Sequence, residues 1–402
     1  MSNTFATTSI VAKESLAILE NMIGFSNNVN RDYEDEYTGN MSRGYAPGNT
    51  INIKKPPRYT YRTGRVAAPQ ATTETTIPIV LAQGGADLNF TSGEKTISAT
   101  RLESKLMAAM ATVANEIDRQ GLEMARFATF NALNPSYTAP TTQALAIGAI
   151  TDLNRRLDEM GAPRDKQRSV VSSPALNANL VTGLAGLFNS SDKISKQYGS
   201  GMMVDSLGIN FDMDQNVSTH TNGAATATTI TGAGQVGSTI TVAAIAGGTL
   251  TRGTVIGLPG VFAVNPQTRL STGVLAQFVV TADALITATT ILISPAIVTS
   301  GAFQNVTASP TAAAAYTIFG AASTSYSTSL AYHKDAFTLA MVPMWMPTSG
   351  NGVISVAQES HNGLNIKVTE FYDGTNDNCI MRLDVLFGWA APYPELACRY
   401  AL

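Results

Sequence analysis

The stretch from Thr100 to Phe130, TRLESKLMAAMATVANEIDRQGLEMARFATF, decides how this chain is built. Leu102, Leu106, Met110, Val113, Ile117, Met124 and Ala128 recur at helical spacing. Glu103, Lys105, Glu116, Asp118, Arg119, Glu123 and Arg126 fall mostly on the other faces, which is the pattern of an amphipathic helix. Thr100 and Glu103 form a Thr-x-x-Glu capping box, in which each side chain satisfies the other's backbone donor. Asn134-Pro135 stops the helix. At about 1.5 Å per residue it runs roughly 40 to 45 Å, the length of a strut. Gly121 weakens it by around 1 kcal/mol relative to Ala and permits a bend or a close contact.

Downstream, Leu145, Ala149, Leu153 and Leu157 mark a second helix over 143–160, ended by Gly161 and Pro163. Ser169-Val170-Val171 reads as a short strand, Ser173-Pro174 as the start of another helix, and 202–219 as strand-like. Then the charge disappears. From Thr221 to Ser329 only Arg252, Arg269 and Asp283 are charged, 3 in 109 positions, against 17 in 68 from Arg101 to Arg168. Short β-type runs fill this region, at 239–245, 254–258, 261–264, 276–281, 290–293 and 316–319, punctuated by Gly, Pro and Asn. An all-β module inserted into an α+β domain follows, with closure into a barrel the way to protect uncharged edges. Beyond it, SLAYHKDAFTLAMVP (329–343) reads as a turn or short helix leading to a buried strand. Residues 364–372 and 379–390 read as an antiparallel pair about Asp373-Gly374-Thr375-Asn376, with Ile366, Val368, Phe371, Ile380, Leu383, Val385 and Phe387 as the apolar set.

Upstream, residues 9–25 read as an amphipathic helix with an apolar stripe of Val11, Leu19, Met22 and Ile23. Its four or so turns are marginal alone, so the stripe needs a cover. The acidic cluster Asp32, Glu34, Asp35 and Glu36 follows. Residues 50–98 read as extended, and Pro56, Pro57, Pro69 and Pro78 favour an exposed hairpin. Lys54, Lys55, Arg58, Arg62 and Arg65 form a basic run with no acid before Glu74. The run reads as a solvated hairpin face or as a contact with an acidic neighbouring subunit. Nucleic acid is the weakest of the three readings, because no aromatic stacking platform accompanies it. The basic run and the acidic cluster are the candidate subunit-interface residues.

Composition narrows the function. The chain has 402 residues, 44% hydrophobic and 14% charged, against about 25% charged in ordinary soluble domains. Thr, Ala, Ser and Gly take the place of charge, which suits surfaces that end up against copies of the same chain. A net charge of −3 gives no global reason to bind nucleic acid. Cys379 and Cys398 are too few for a disulfide framework and read as buried. The first residues do not read as a secretion signal, and no run approaches the roughly 18 apolar residues of a membrane span. His220, His333 and His361 are isolated and lack metal-ligand spacing. No nucleophile elbow, phosphate loop or dinucleotide fingerprint is present. The expectation is therefore no enzyme, no metal, no cofactor and no membrane.

The order of these elements resembles the tailed-phage major capsid proteins of the Hong Kong 97 fold, in the podophage coat-protein branch with an inserted β-barrel domain. The resemblance rests on the N-terminal helical arm and on the Pro-rich extended loop before the long capped helix. It continues in RSVVSSPALNANLV, LAYHKDAFTLAMVP and CIMRLDVLFGWAAPYPELACRYAL. TLTRGTVIGLPGVFAVNPQTRLSTGVLAQFVVT and TTILISPAIV look like the barrel of that branch.

The resemblance implies an N-terminal arm at 1–30, an extended loop region at 31–100, and a spine helix with peripheral domain at 101–142. It implies an axial domain at 143–220 and 330–360 around the insertion at 221–329, and closing peripheral strands at 361–402. It further implies pentamers and hexamers closing into an icosahedral shell around double-stranded DNA that is not specifically bound. The implied partners are a scaffolding protein that guides a procapsid, a portal protein and optional decoration proteins, with assembly noncovalent and the chain in the host cytoplasm before it enters the virion capsid. In this picture the arm and loop bury their apolar faces only on a neighbour. The alternatives are a bacterial nanocompartment shell protein and a cell-surface β-rich adhesin.

Overall fold

The computed structural model describes the chain apart from residues 1–7, 32–49, 56, 63, 68, 73–74, 98–101, 185–200, 202, 204, 348–352 and 362. Asp32, Glu34, Asp35, Glu36 and the capping-box Thr100 thus lie outside the described residues, as does the side chain of Glu103. Among the described residues the helices are α1 (Thr8–Met22), α2 (Ser92–Ile97), α3 (Leu102–Ala128), α4 (Gln143–Glu159) and α5 (Pro174–Leu184), interleaved with strands. The class is mixed α+β. The chain divides into two compact units, one of Met1–Lys54, Thr76–Gly121 and Thr338–Ala390, the other of Lys55–Thr75, Leu122–Phe337 and Ala391–Leu402.

In the first unit the strand Asn378–Ala390 organises the sheet. It pairs antiparallel with Ala82–Thr91, with Leu364–Asp373 and with Thr338–Met341, and Val353–His361 adds beyond Leu364–Asp373. The expected hairpin is present: Asp373 faces Asn378, and the Asp373 carboxylate accepts from the Thr375 N–H at 2.9 Å inside the turn. The extended reading of 50–98 is only partly right. Thr50–Lys55 pairs with Thr75–Val80, but Ala82–Thr91 belongs to the larger sheet and Ser92–Ile97 is helical.

The apolar set of the hairpin also needs correction. Glu370, Cys379 and Met381 are buried, whereas Phe371 and Ile380 are half-buried. Side chains alternate strictly along a strand, so a run chosen by hydrophobicity alone skipped the polar residue that was in phase. Glu370 tolerates its place because the Cys379 thiol donates to it at 3.1 Å and the Ser355 hydroxyl at 3.3 Å.

The N-terminal helix does not wait for a neighbour. α1 packs on the chain's own strands Val353–His361 and Leu364–Asp373, and Val11, Ala12, Leu16 and Leu19 are buried there. The stripe needed a cover, as expected, and intramolecular burial supplies it at no cost in translational entropy. Along α3, Leu106, Met110, Val113 and Ile117 are buried as read from the sequence, while Asp118, read as polar-face, is 2% exposed. Its carboxylate accepts from the backbone N–H of Gly24 at 2.7 Å and of Ser26 at 3.0 Å, and from the Ser26 hydroxyl. It caps the 3-10 turn Phe25–Asn28, so its burial is compensated by donors.

In the second unit Ser325–His333 is the central strand. Ala397–Ala401 and Arg168–Ser172 flank it antiparallel, Ala132–Leu133 and Asn210–Met213 extend the sheet in parallel, and Thr219–Thr221 pairs with its first residues. α4 and α5 contribute Ala149, Leu153, Leu157, Leu176 and Leu180 to the core against Val170, Ala331 and Cys398. The Thr142 side chain caps α4 by accepting from the Leu145 N–H. Leu145 itself, expected on the packed side, is 45% exposed.

Residues 222–324 form their own sheet, in the order Thr317–Ile318, Val255–Val264, Ser271–Val280, Thr290–Ile297 and Gly237–Thr241. Two expected runs, 254–258 and 261–264, merge into one strand whose register shifts around Pro259-Gly260, where Pro has no N–H to give. The segment 226–231 bonds on both sides. Ile230 exchanges backbone hydrogen bonds with residues 313–314, and Thr226, Thr229 and Thr231 bond to residues 241–246. Inside lie Ile230, Ile240, Ile256, Leu258, Phe278, Ile291 and Tyr316, with Met160 packed against them.

Candidate assembly interface

The segment 57–72 leaves large apolar side chains uncovered. Tyr61 is 92% exposed and Val66 84%, with Tyr59 half out. Such side chains favour a dry partner, each burial contributing about 1.5 to 3 kcal/mol. The loop is nevertheless shaped by its own polar groups. The Thr60 N–H donates to the Gln70 side-chain carbonyl at 2.8 Å, and the Gln70 amide returns a bond to the Thr60 carbonyl at 2.7 Å, imitating one rung of a β-ladder. Arg269 adds a bond to the Tyr59 carbonyl at 2.7 Å.

The five basic residues singled out in the sequence do not act together. Arg58 pairs with Glu395 at 2.8 Å and lies 5.7 Å from the centre of the Phe303 ring. Lys55 sits 5.3 Å from the centre of the Tyr393 ring; burial pushes its ammonium down, against the pull of Glu395. Arg62 donates to the carbonyls of Gly64 and, at 2.7 Å, Val66 within its own loop. Lys54 and Arg65 are exposed. The run is thus split by burial, with Lys55 and Arg58 half-buried and Lys54, Arg62 and Arg65 exposed. Glu395, Tyr393 and Phe303 were not legible as partners, because they lie hundreds of positions away and carry no local motif.

Lys55 and Arg58 line a cavity of about 170 Å³ with Phe130, Arg156, Phe303 and Tyr393. Arg156 is 2% exposed, held by Asn131 at 3.1 Å and Glu159 at 3.3 Å. Elsewhere the reactive side chains serve packing. Burial pushes the Cys398 thiol up to about 12, so it stays protonated. His333 bonds Asp165 at 3.1 Å, and His220 lies 3.3 Å from the Thr254 hydroxyl. Among the described residues, no group of three or more His, Cys, Asp or Glu is placed to hold a metal ion, and no helix is long and apolar enough to cross a membrane.

The described residues thus show a mixed α+β chain with an exposed, partly apolar loop. The family model described as P22 coat protein, gene protein 5, matches residues 86–399, well over half of the chain. The chain belongs to the P22 coat protein family and is a bacteriophage major capsid protein. Its place is the virion capsid, and it assembles into an oligomeric shell. No curated protein matches the sequence. Similar solved structures include one from Mycobacterium phage Che8, 13% identical with TM-score 0.48, covering 94% of this chain and 90% of that one. The capsid of Ralstonia phage GP4 is 10% identical with TM-score 0.46, covering 95% and 89%. The capsid of cyanophage P-SCSP1u is 10% identical with TM-score 0.44, covering 88% and 84%. The family assignment rests on the sequence match, not on these distant likenesses.

Proposed function

We propose that this major capsid protein is of the Hong Kong 97 type, forming pentamers and hexamers that close into an icosahedral shell around double-stranded DNA. Its role is structural and not catalytic. The observation that carries the reading is the loop 57–72, which holds Tyr61 and Val66 in solvent on a hydrogen-bonded frame. A side chain pre-shaped for a partner loses little entropy on docking, and a surface that meets a different surface on the next copy generates rings. Lys54 and Arg65 would supply charge steering toward acidic neighbours, with Asp32, Glu34, Asp35 and Glu36 as candidates for the complementary side.

Within the same proposal, 221–329 is an inserted domain closed as a barrel. The segment 226–231 supports this, since it bonds both to residues 313–316 and to residues 241–246 near the two end strands of the sheet. α3 would be the spine of a peripheral domain at 101–142, closed by strands of 361–402, and 143–220 with 330–360 the axial domain. Scaffolding, portal and optional decoration proteins are the proposed partners of assembly.

Electron microscopy of the overexpressed protein, with and without the scaffolding protein of the same phage, tests this. Isometric shells with scaffolding, and capsomers or aberrant shells without it, are expected. Monodisperse monomers at high concentration under both conditions would overturn it.

A further inference from the structure

Arg399 lies in the strand Ala397–Ala401, paired with Leu330 on one side and Ala132 on the other. It is 0% exposed, and its Nε, Nη1 and Nη2 have no hydrogen-bond partner among the described residues. The groups around it are of the same kind. Arg126 bonds the Thr219 carbonyl at 2.7 Å, but its Nε is also unpartnered. The hydroxyl of Tyr326 is buried and unpartnered too. His220 stacks edge-on against Tyr326 with ring centres 5.5 Å apart. The electrostatic neighbours of Arg399 are Tyr326, Arg126 and Cys398, with no carboxylate among them.

The chemistry of this cluster is one-sided. A guanidinium has five N–H donors and no acceptor, and it keeps its proton in proteins. Arg126 is paired with Glu123 at 3.7 Å, and the Tyr326 hydroxyl, which could accept as well as donate, makes no bond, so Arg399 is the cation left without a paired anion among the described residues. A buried charge persists when it is paired and hydrogen-bonded. Full burial of Arg399 keeps a side chain from another protein from reaching it without unfolding the strand. The counter-charge must then be small enough to be enclosed.

We propose that the second unit holds one small monovalent anion of halide size, bound by Arg399 with Arg126 and Tyr326. It is a structural anion. It ties the last strand to the end of α3 and lets the carboxy-terminal segment stay closed.

The test uses purified full-length subunits at fixed ionic strength, with sodium chloride replacing sodium gluconate. The thermal midpoint is expected to rise by several degrees with chloride. Gluconate, as an excluded solute, would push the other way. The chloride-35 resonance of the buffer is expected to broaden in the presence of the wild-type protein and to sharpen on adding bromide. Arg399→Met is expected to abolish both effects. Equal midpoints in both salts, together with a chloride-35 line unaffected by the wild-type protein, would overturn the proposal. So would an Arg399→Met protein that keeps the full chloride response. If that variant does not fold, the wild-type line width and its bromide competition decide the matter alone.

Discussion

Gly121 of α3 faces Trp389 at a separation that leaves no room for one more carbon: a Cβ there would stand 2.5 Å from the indole Cζ2 and 2.7 Å from Cε2. The indole cannot give way easily. It stacks on Phe25 with centres 5.3 Å apart, and its N–H donates to the Ile117 carbonyl at 3.2 Å. Two effects of Gly121→Ala oppose each other. Helix propensity favours Ala by about 1 kcal/mol, and overpacking costs about 1 to 3 kcal/mol. With a rigid ring on one side and Phe25 at 2.9 Å on the other, overpacking wins. Urea unfolding should show G121A less stable by about 1 to 2 kcal/mol; a stabilised variant would contradict the packing described.

Asp118 offers a second test of the same unit. Asp118→Ala removes the acceptor from two backbone N–H groups and a hydroxyl, each costing about 1 to 3 kcal/mol when left buried and unsatisfied. A loss of about 3 kcal/mol or more is expected in denaturant unfolding. Glu116→Ala is the control. Glu116 pairs with Arg119 at the surface, and exposed pairs of this kind are worth under about 1 kcal/mol.

The pH dependence should carry the mark of His220. Burial, with Arg399 and Arg126 adding to it, pushes this imidazole down to about 3 from the ordinary 6.5. The folded protein therefore keeps it neutral while the unfolded chain takes up a proton below 6.5. Stability contributed by the neutral ring is whole above that pH and falls by about 1.4 kcal/mol per pH unit on acidification toward 3. The measurement belongs in gluconate medium, where no halide offsets the charge of the arginines. His220→Gln should flatten the dependence between pH 6 and about 4; an unchanged slope would show that other groups set it.

Tyr61 separates folding from assembly. At 92% exposure it contributes little to the subunit, so Tyr61→Ser should leave the unfolding free energy within about 0.5 kcal/mol. Light scattering during scaffolding-assisted assembly should show slower growth or a higher critical concentration. Assembly indistinguishable from wild type would remove this side chain from the interface.

Much of the architecture was legible because its signals are local. The spacing of Leu106, Met110, Val113 and Ile117 marked α3, Ser173-Pro174 marked the start of α5, and the Asp373–Asn376 turn marked its hairpin. The loss of charge after Thr221 announced the β region. Errors came where a residue's type and its phase disagree. Asp118 and Glu370 are polar by type yet sit on buried faces, and Leu145 is apolar yet exposed. Of the candidate interface only the charges were legible, as a basic run and an acidic cluster, because charge is visible in sequence while its compensation is not.

The sequence by itself determined the periodicities, the turns and the uneven distribution of charge, since these depend on neighbours a few positions apart. Only the tertiary structure decided that α1 is covered by Val353–His361 and Leu364–Asp373, that Arg58 meets Glu395 across 337 positions, and that Arg399 is enclosed with no hydrogen-bond partner for its guanidinium among the described residues. Such contacts form when distant segments collapse onto one another, and each depends on the shape of the whole unit. They leave no trace in the spacing of nearby residues.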